Sequence, residues 1–150
     1  AFDLKLRTPL LPKTILNNKR TLPYLAAKEI KTAANALGQS YGLLNTRALN
    51  EFMERVWASK YRYDILPIMQ IHDSLYFMCR DNIQTVEWLN INLIECMEWN
   101  MLPEIQHPVV GLEAELDIFY PSWAESVTIP NKADAHTIKK RIKEHILDLT

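Results

Sequence analysis

Between residues 44 and 57 the apolar side chains Leu44, Ala48, Leu49, Phe52, Met53, Val56 and Trp57 recur every three or four positions, while Asn45, Arg47, Asn50, Glu51, Glu54 and Arg55 fill the opposite side. That period is helical. With the good helix formers of YLAAKEIKTAANAL, which begins at Tyr24, it predicts a long amphipathic helix running to about Ser59, interrupted near Gly38 and Gly42. The following stretch, ILPIMQIHDSLYFMC from Ile65, sets two apolar runs around the polar group His72, Asp73 and Ser74. It predicts a buried β-hairpin with His72 and Asp73 at its bend. Residues 82–101 return to helical period through Val86, Leu89, Leu93, Cys96 and Met97, with Asp81 or Asn82 as N-cap. In VVGLEAELDIF the pattern alternates, Leu112, Ala114, Leu116 and Ile118 against Glu113, Glu115 and Asp117, as a half-exposed strand with a solvated acidic face does. A last helix is expected over residues 132–148, and its basic cluster Lys139, Lys140, Arg141 and Lys143 is most simply a solvated face. Ahead of all this, Pro9, Pro12 and Pro23 bias residues 1–23 toward an extended arm.

The order helix, hairpin, helix, strand, helix suggests an α+β fold, an antiparallel sheet packed on helices. Composition narrows the class further. A length of 150 residues, 48% hydrophobic and 23% charged, is that of one compact domain. Seventeen Lys and Arg against eighteen Asp and Glu exclude the uniformly basic character of a self-sufficient nucleic-acid coat, though not a local basic patch. No apolar run approaches the roughly 18 residues that span a bilayer, and AFDLKLRTPLLPK lacks a signal-peptide pattern, so no membrane association and a cytoplasmic location are expected. Cys79 and Cys96 do not form a metal-ligand spacing and read as two buried thiols. Rossmann and P-loop glycine patterns do not occur.

Asp73 is the most informative position, because a carboxylate between IMQI and LYF lies beside a core it cannot enter ionised. Water at the bend, a cationic side chain or a metal ion has to compensate it. Asp is also a favoured turn former, so a plain turn residue is the simplest account; His72 alone is equally well a hydrogen-bonded structural histidine, and Asn35 and Gln39 alone are ordinary helical amides.

Taken together, these residues resemble a known family. IMQIHDSLYF is similar to the motif of the family A DNA polymerases, the polymerase I class, in which a buried hairpin of the palm carries His-Asp-Glu at its bend. There a helix bearing Asn-Ala-x-x-Gln precedes the hairpin, and Asn35, Ala36 and Gln39 stand at that spacing and distance here. After the hairpin come a helix, a strand and Trp123 of YPSWA, which looks like the family's near-terminal Asn-Trp. The resemblance covers residues 20–124 or so, and it is most like the phage replicative enzymes in the QIHDS hairpin and extended tail.

That resemblance implies residues 24–124 as part of a palm and 125–150 as a C-terminal extension. Asp73 would be a ligand for two Mg²⁺ ions in a nucleotidyl transfer using deoxynucleoside triphosphates, and hard cations do require carboxylate oxygen. His72 would contact the primer terminus, and Asn35 and Gln39, one helical turn apart, would donate to the minor-groove acceptors of primer-template DNA. Lys31 stands where the family usually has Arg and is a candidate phosphate or minor-groove contact. The chain departs from the pattern in three respects. Ser74 replaces the family's Glu; no Asp-Tyr-Ser-x-Ile-Glu strand supplies a second metal-binding Asp; and KTAANALGQSYG lacks the spacing of the triphosphate-binding fingers helix. One carboxylate cannot hold two Mg²⁺ ions. Acting alone the chain is therefore not expected to polymerise DNA. The expected partner is a larger N-terminal polymerase polypeptide bringing the second Asp and the fingers, without which the palm sheet is incomplete. Ser74 and the absent Asp also keep open a non-catalytic palm-fold module for DNA binding or assembly.

Overall fold

In a computed structural model of the chain, the described residues are 41–148 together with Tyr24, Ala27, Ile30, Lys31, Thr32, Ala34, Asn35 and Gly38. The predicted arm over residues 1–23 lies outside them. Two compact units are distinguished, Ala1–Leu44 and Asn45–Thr150. In the first, the described residues between Tyr24 and Gly38 are helical and exposed. A turn at Tyr41, whose amide donates to the Gly38 carbonyl at 3.1 Å, precedes the next helix, in the region where the glycines predict an interruption.

From there the order is α1 (Gly42–Ala58), β1 (Ile65–Ile71), β2 (Ser74–Cys79), α2 (Ile83–Met97), a short 3₁₀ turn (Pro103–Ile105), β3 (Leu116–Phe119), β4 (Ser126–Ile129) and α3 (Ala135–Asp148). This is an α+β fold whose strands form two separate antiparallel pairs, β1 with β2 and β3 with β4. A lone hairpin is marginal in water, so each pair depends on the helix it packs against.

The main core follows the stripe of α1. Ala48, Phe52, Met53 and Val56 are buried with Ile65 of β1 and Leu89, Leu93 and Cys96 of α2. Phe52 meets Phe77 of β2 edge-on, ring centroids 5.1 Å apart, and Trp88 of α2 at 5.9 Å. A smaller core joins Val86, Ile129, Ala133 and Ile138, with Leu116 touching both. Trp57, expected on the packed face, is instead 64% exposed, because the core reaches only as far as Val56 before the chain turns toward β1.

The polar side of α1 is partly drawn into a clamp on α2. Arg55 reaches Glu95 at 2.8 Å and Glu51 at 2.7 Å, and Arg47 pairs with Glu51 and donates to the Cys96 carbonyl. Its guanidinium also lies 4.0 Å from the ring centroid of Trp99. Burial pushes the Glu51 carboxyl up, yet the hydrogen bonds and charges of Arg47 and Arg55 outweigh it and hold the group below its usual value.

Helix ends follow their caps. Asn82 accepts from the Gln84 amide at 2.8 Å and starts α2, and Asp134 accepts from the Thr137 amide at 2.9 Å and starts α3. The strand expected from Val109 is shorter than its pattern. Burial alternates from Gly111 to Ile118, as the apolar and acidic positions require, but ladder pairing covers only Leu116–Phe119, where β4 lies alongside. Of the two thiols expected to be buried, Cys96 is buried, while Cys79, the last residue of β2, is exposed.

Candidate functional site at the hairpin turn

β1 and β2 pair from Ile65↔Cys79 to Ile71↔Ser74, leaving His72 and Asp73 as a two-residue turn. Such short loops take types I′ or II′, whose twist matches the strands. His72 has φ 53°, and Asp73 is not among the positive-φ residues, so only the first central position is left-handed. That is the type II′ pattern, which ordinarily places Gly first. A side chain at a position that ordinarily takes Gly is strained, by about 1–3 kcal/mol for a residue held in so sparsely populated a region. One shift of register, between Pro67 and Met69, absorbs a proline that could not donate within a regular ladder.

Pairing sorts the hairpin into two faces. Ile65, Leu75 and Phe77 turn toward α1 and α2, and Leu66, Met69, Ile71, Tyr76 and Met78 turn away. The hairpin expected to be buried is instead largely exposed: only Ile65 is buried, Ser74 to Phe77 are half-buried, and Leu66 and Met78 are 54% and 64% exposed, because α1 and α2 cover one face alone. On the outer face Tyr76 stacks on Trp123 at 5.2 Å and 25°, and Trp123 on Phe119 at 5.0 Å and 21°. Trp123, singled out within YPSWA by its likeness to a near-terminal Asn-Trp, stands against Tyr76, three positions past Asp73. At the open end, Arg80 pairs with Asp64 at 3.1 Å and donates its amide to the Asp64 carbonyl at 2.8 Å.

At the closed end, two side chains from the start of α1 reach the turn. Asn45 Nδ2 donates to the His72 carbonyl at 3.3 Å, and Thr46 Oγ1 to Gln70 Oε1 at 3.3 Å. His72 and Asp73 are both exposed, and among the described residues the Asp73 carboxylate forms no ion pair or hydrogen bond. An exposed carboxylate with both oxygens open is chemically able to take a hard cation.

The remaining candidates are distributed elsewhere. Lys31 and Asn35 are exposed on helical residues of the first unit, and Gln39 lies outside the described residues. Glu113, Glu115 and Asp117 form an exposed face as expected, Asp117 accepting from Thr128 Oγ1 at 2.7 Å across the β3–β4 pair. Among the described residues no group of three or more His, Cys, Asp and Glu side chains could hold a metal ion. The basic cluster of α3 is exposed, and Lys140 lies 3.9 Å from Glu144. No described helix is long and apolar enough to cross a membrane.

Asn45, Tyr76 and Phe119 went unmarked in the sequence. The partner of Asn45 is 27 residues away, and a polar position at the head of an amphipathic helix carries no local sign of it. No family model, curated protein or solved structure matches the chain.

Proposed function

We propose that this chain is the C-terminal palm portion of a DNA-directed DNA polymerase of the polymerase I class, active only with a larger polypeptide that brings a second acid and the fingers. The reading rests on the ordered resemblance of Asn35, Gln39, His72, Asp73 and Trp123 to that family. One observation carries it furthest: the His-Asp pair forms the whole of a tight, exposed hairpin turn, with the carboxylate unpaired at its tip.

In this reading Asp73 would hold Mg²⁺ together with an acid brought by the larger polypeptide. The bound ions would supply positive charge at the primer 3′-oxygen and at the departing pyrophosphate. His72, next to the metal ligand, orients the primer terminus, which converts a bimolecular attack into a positioned one. Lys31, Asn35 and Gln39 contact the primer-template duplex without reading its sequence, since minor-groove acceptors are common to all base pairs. Leu66, Met69, Ile71 and Met78 form an exposed apolar hairpin face that suits a permanent partner.

Co-expression with the larger polymerase polypeptide is expected to give Mg²⁺-dependent primer extension, and Asp73→Ala to abolish it while the two chains still assemble. Extension that survives Asp73→Ala would overturn the catalytic assignment. A second reading, a non-catalytic module for DNA binding or assembly, is favoured by Ser74 and by the lack in the sequence of a strand bringing a second Asp. It predicts primer-template binding or assembly without extension, and no effect of Asp73→Ala in either.

A further inference from the structure

Types I′ and II′ share the same strand pairing and differ by a rotation of the central peptide, here the His72 carbonyl with the Asp73 amide. The flip changes the sign of φ at the second central residue and re-aims its side chain. His-Asp does not choose strongly between the two forms, because Asp tolerates positive φ better than most residues and type II′ prefers Gly where His72 stands. Something beyond the turn has to select the form in which His72 is left-handed and Asp73 is not.

The oxygen that would swing in a flip is the one that accepts from Asn45 Nδ2 at 3.3 Å. Asn45 belongs to the first turns of α1, a helix anchored through Ala48, Phe52 and Val56, so the donor is held by the core and not by the hairpin. Its neighbour Thr46 ties Gln70 on the adjoining strand at 3.3 Å, which keeps the hairpin tip and the helix start together. We infer that Asn45 is a positioning residue: it locks the His72–Asp73 peptide in the type II′ orientation and thereby sets the direction in which the Asp73 carboxylate is presented. The value of that direction to a metal rests on the polymerase reading; the lock itself does not.

Solution NMR on the full chain tests it. In the type II′ form the amide protons of His72 and Asp73 lie apart, and after a flip they lie side by side and give an amide–amide NOE. The unaltered chain is expected to show little of this cross peak. Asn45→Asp, equal in size but without the donor, and Asn45→Ala are both expected to raise it roughly fivefold, the worth of about one hydrogen bond. An unchanged cross peak in Asn45→Asp, with the Phe52–Phe77 ring contacts retained, overturns the proposal. Should the Asn45 variants fail to fold, Asp73→Gly decides, since Gly accepts either sign of φ. With Asn45 intact a weak cross peak supports the lock, and a strong one overturns it. Neither metal nor DNA is present, so this result stands whichever way primer extension by Asp73→Ala falls.

Discussion

The two cysteines illustrate how far the surroundings of a single residue determine its chemistry. Cys96 sits in the main core on α2, and burial pushes its thiol up to about 11 despite the nearby Arg55. Its thiolate is therefore scarce near neutral pH as well as inaccessible. Cys79, at the end of β2, is exposed; partial desolvation and the nearby Asp81 raise its thiol as well, so access and not acidity separates the two. With a thiol-specific reagent under native conditions Cys79 is expected to react, and Cys96 only after denaturant is added. Rapid modification of both in the folded chain would contradict the packing of α2. His72 makes a related point, since its φ of 53° gives a side chain of ordinary type an unusual backbone, and only the opposing strands reveal that.

At the scale of elements, the contact between α1 and α2 joins an apolar stripe to an ionic ladder running Arg47, Glu51, Arg55, Glu95. Half-exposed ion pairs are individually worth little, so the ladder contributes about 0.5–1 kcal/mol beside a larger apolar term. Glu51 carries its pH dependence. Its folded carboxyl lies below the usual 4.5, so its contribution is present above that value and is lost as pH falls through the lower folded one. Denaturant titrations should show Glu51→Gln lowering stability at neutral pH and flattening the acid limb of stability against pH. A variant whose acid limb is as steep as the parent's would leave the ladder without a role.

Over the Asn45–Thr150 unit as a whole, Phe52 joins three elements, with Phe77 of the hairpin on one side and Trp88 of α2 on the other. It is fully buried, and truncation leaves a cavity that neighbours from three directions cannot all collapse into. Phe52→Ala is expected to cost about 3–5 kcal/mol and to lower the melting temperature of hairpin and helices together. Loss of the hairpin signal alone, with the helices unmoved, would show that the unit is not one cooperative block. The same core leaves Leu66, Met69, Ile71 and Met78 facing outward, so the hairpin has a packed face and an open one.

Hydrophobic period and caps alone were enough to locate α1, the hairpin with its His72–Asp73 bend, α2 from Asn82, and α3, because each is a local pattern of side chains and backbone donors. The alternation through Leu112, Ala114, Leu116 and Ile118 likewise predicted which side chains turn inward, though not where ladder pairing would stop. Only the tertiary structure decided which face of the hairpin is covered, which cysteine is exposed, that Trp123 stacks on Tyr76, and that Asn45 reaches the His72 carbonyl. Each of these depends on groups far apart in the chain meeting across a packed core, and a periodicity that spans a few residues carries no information about such meetings.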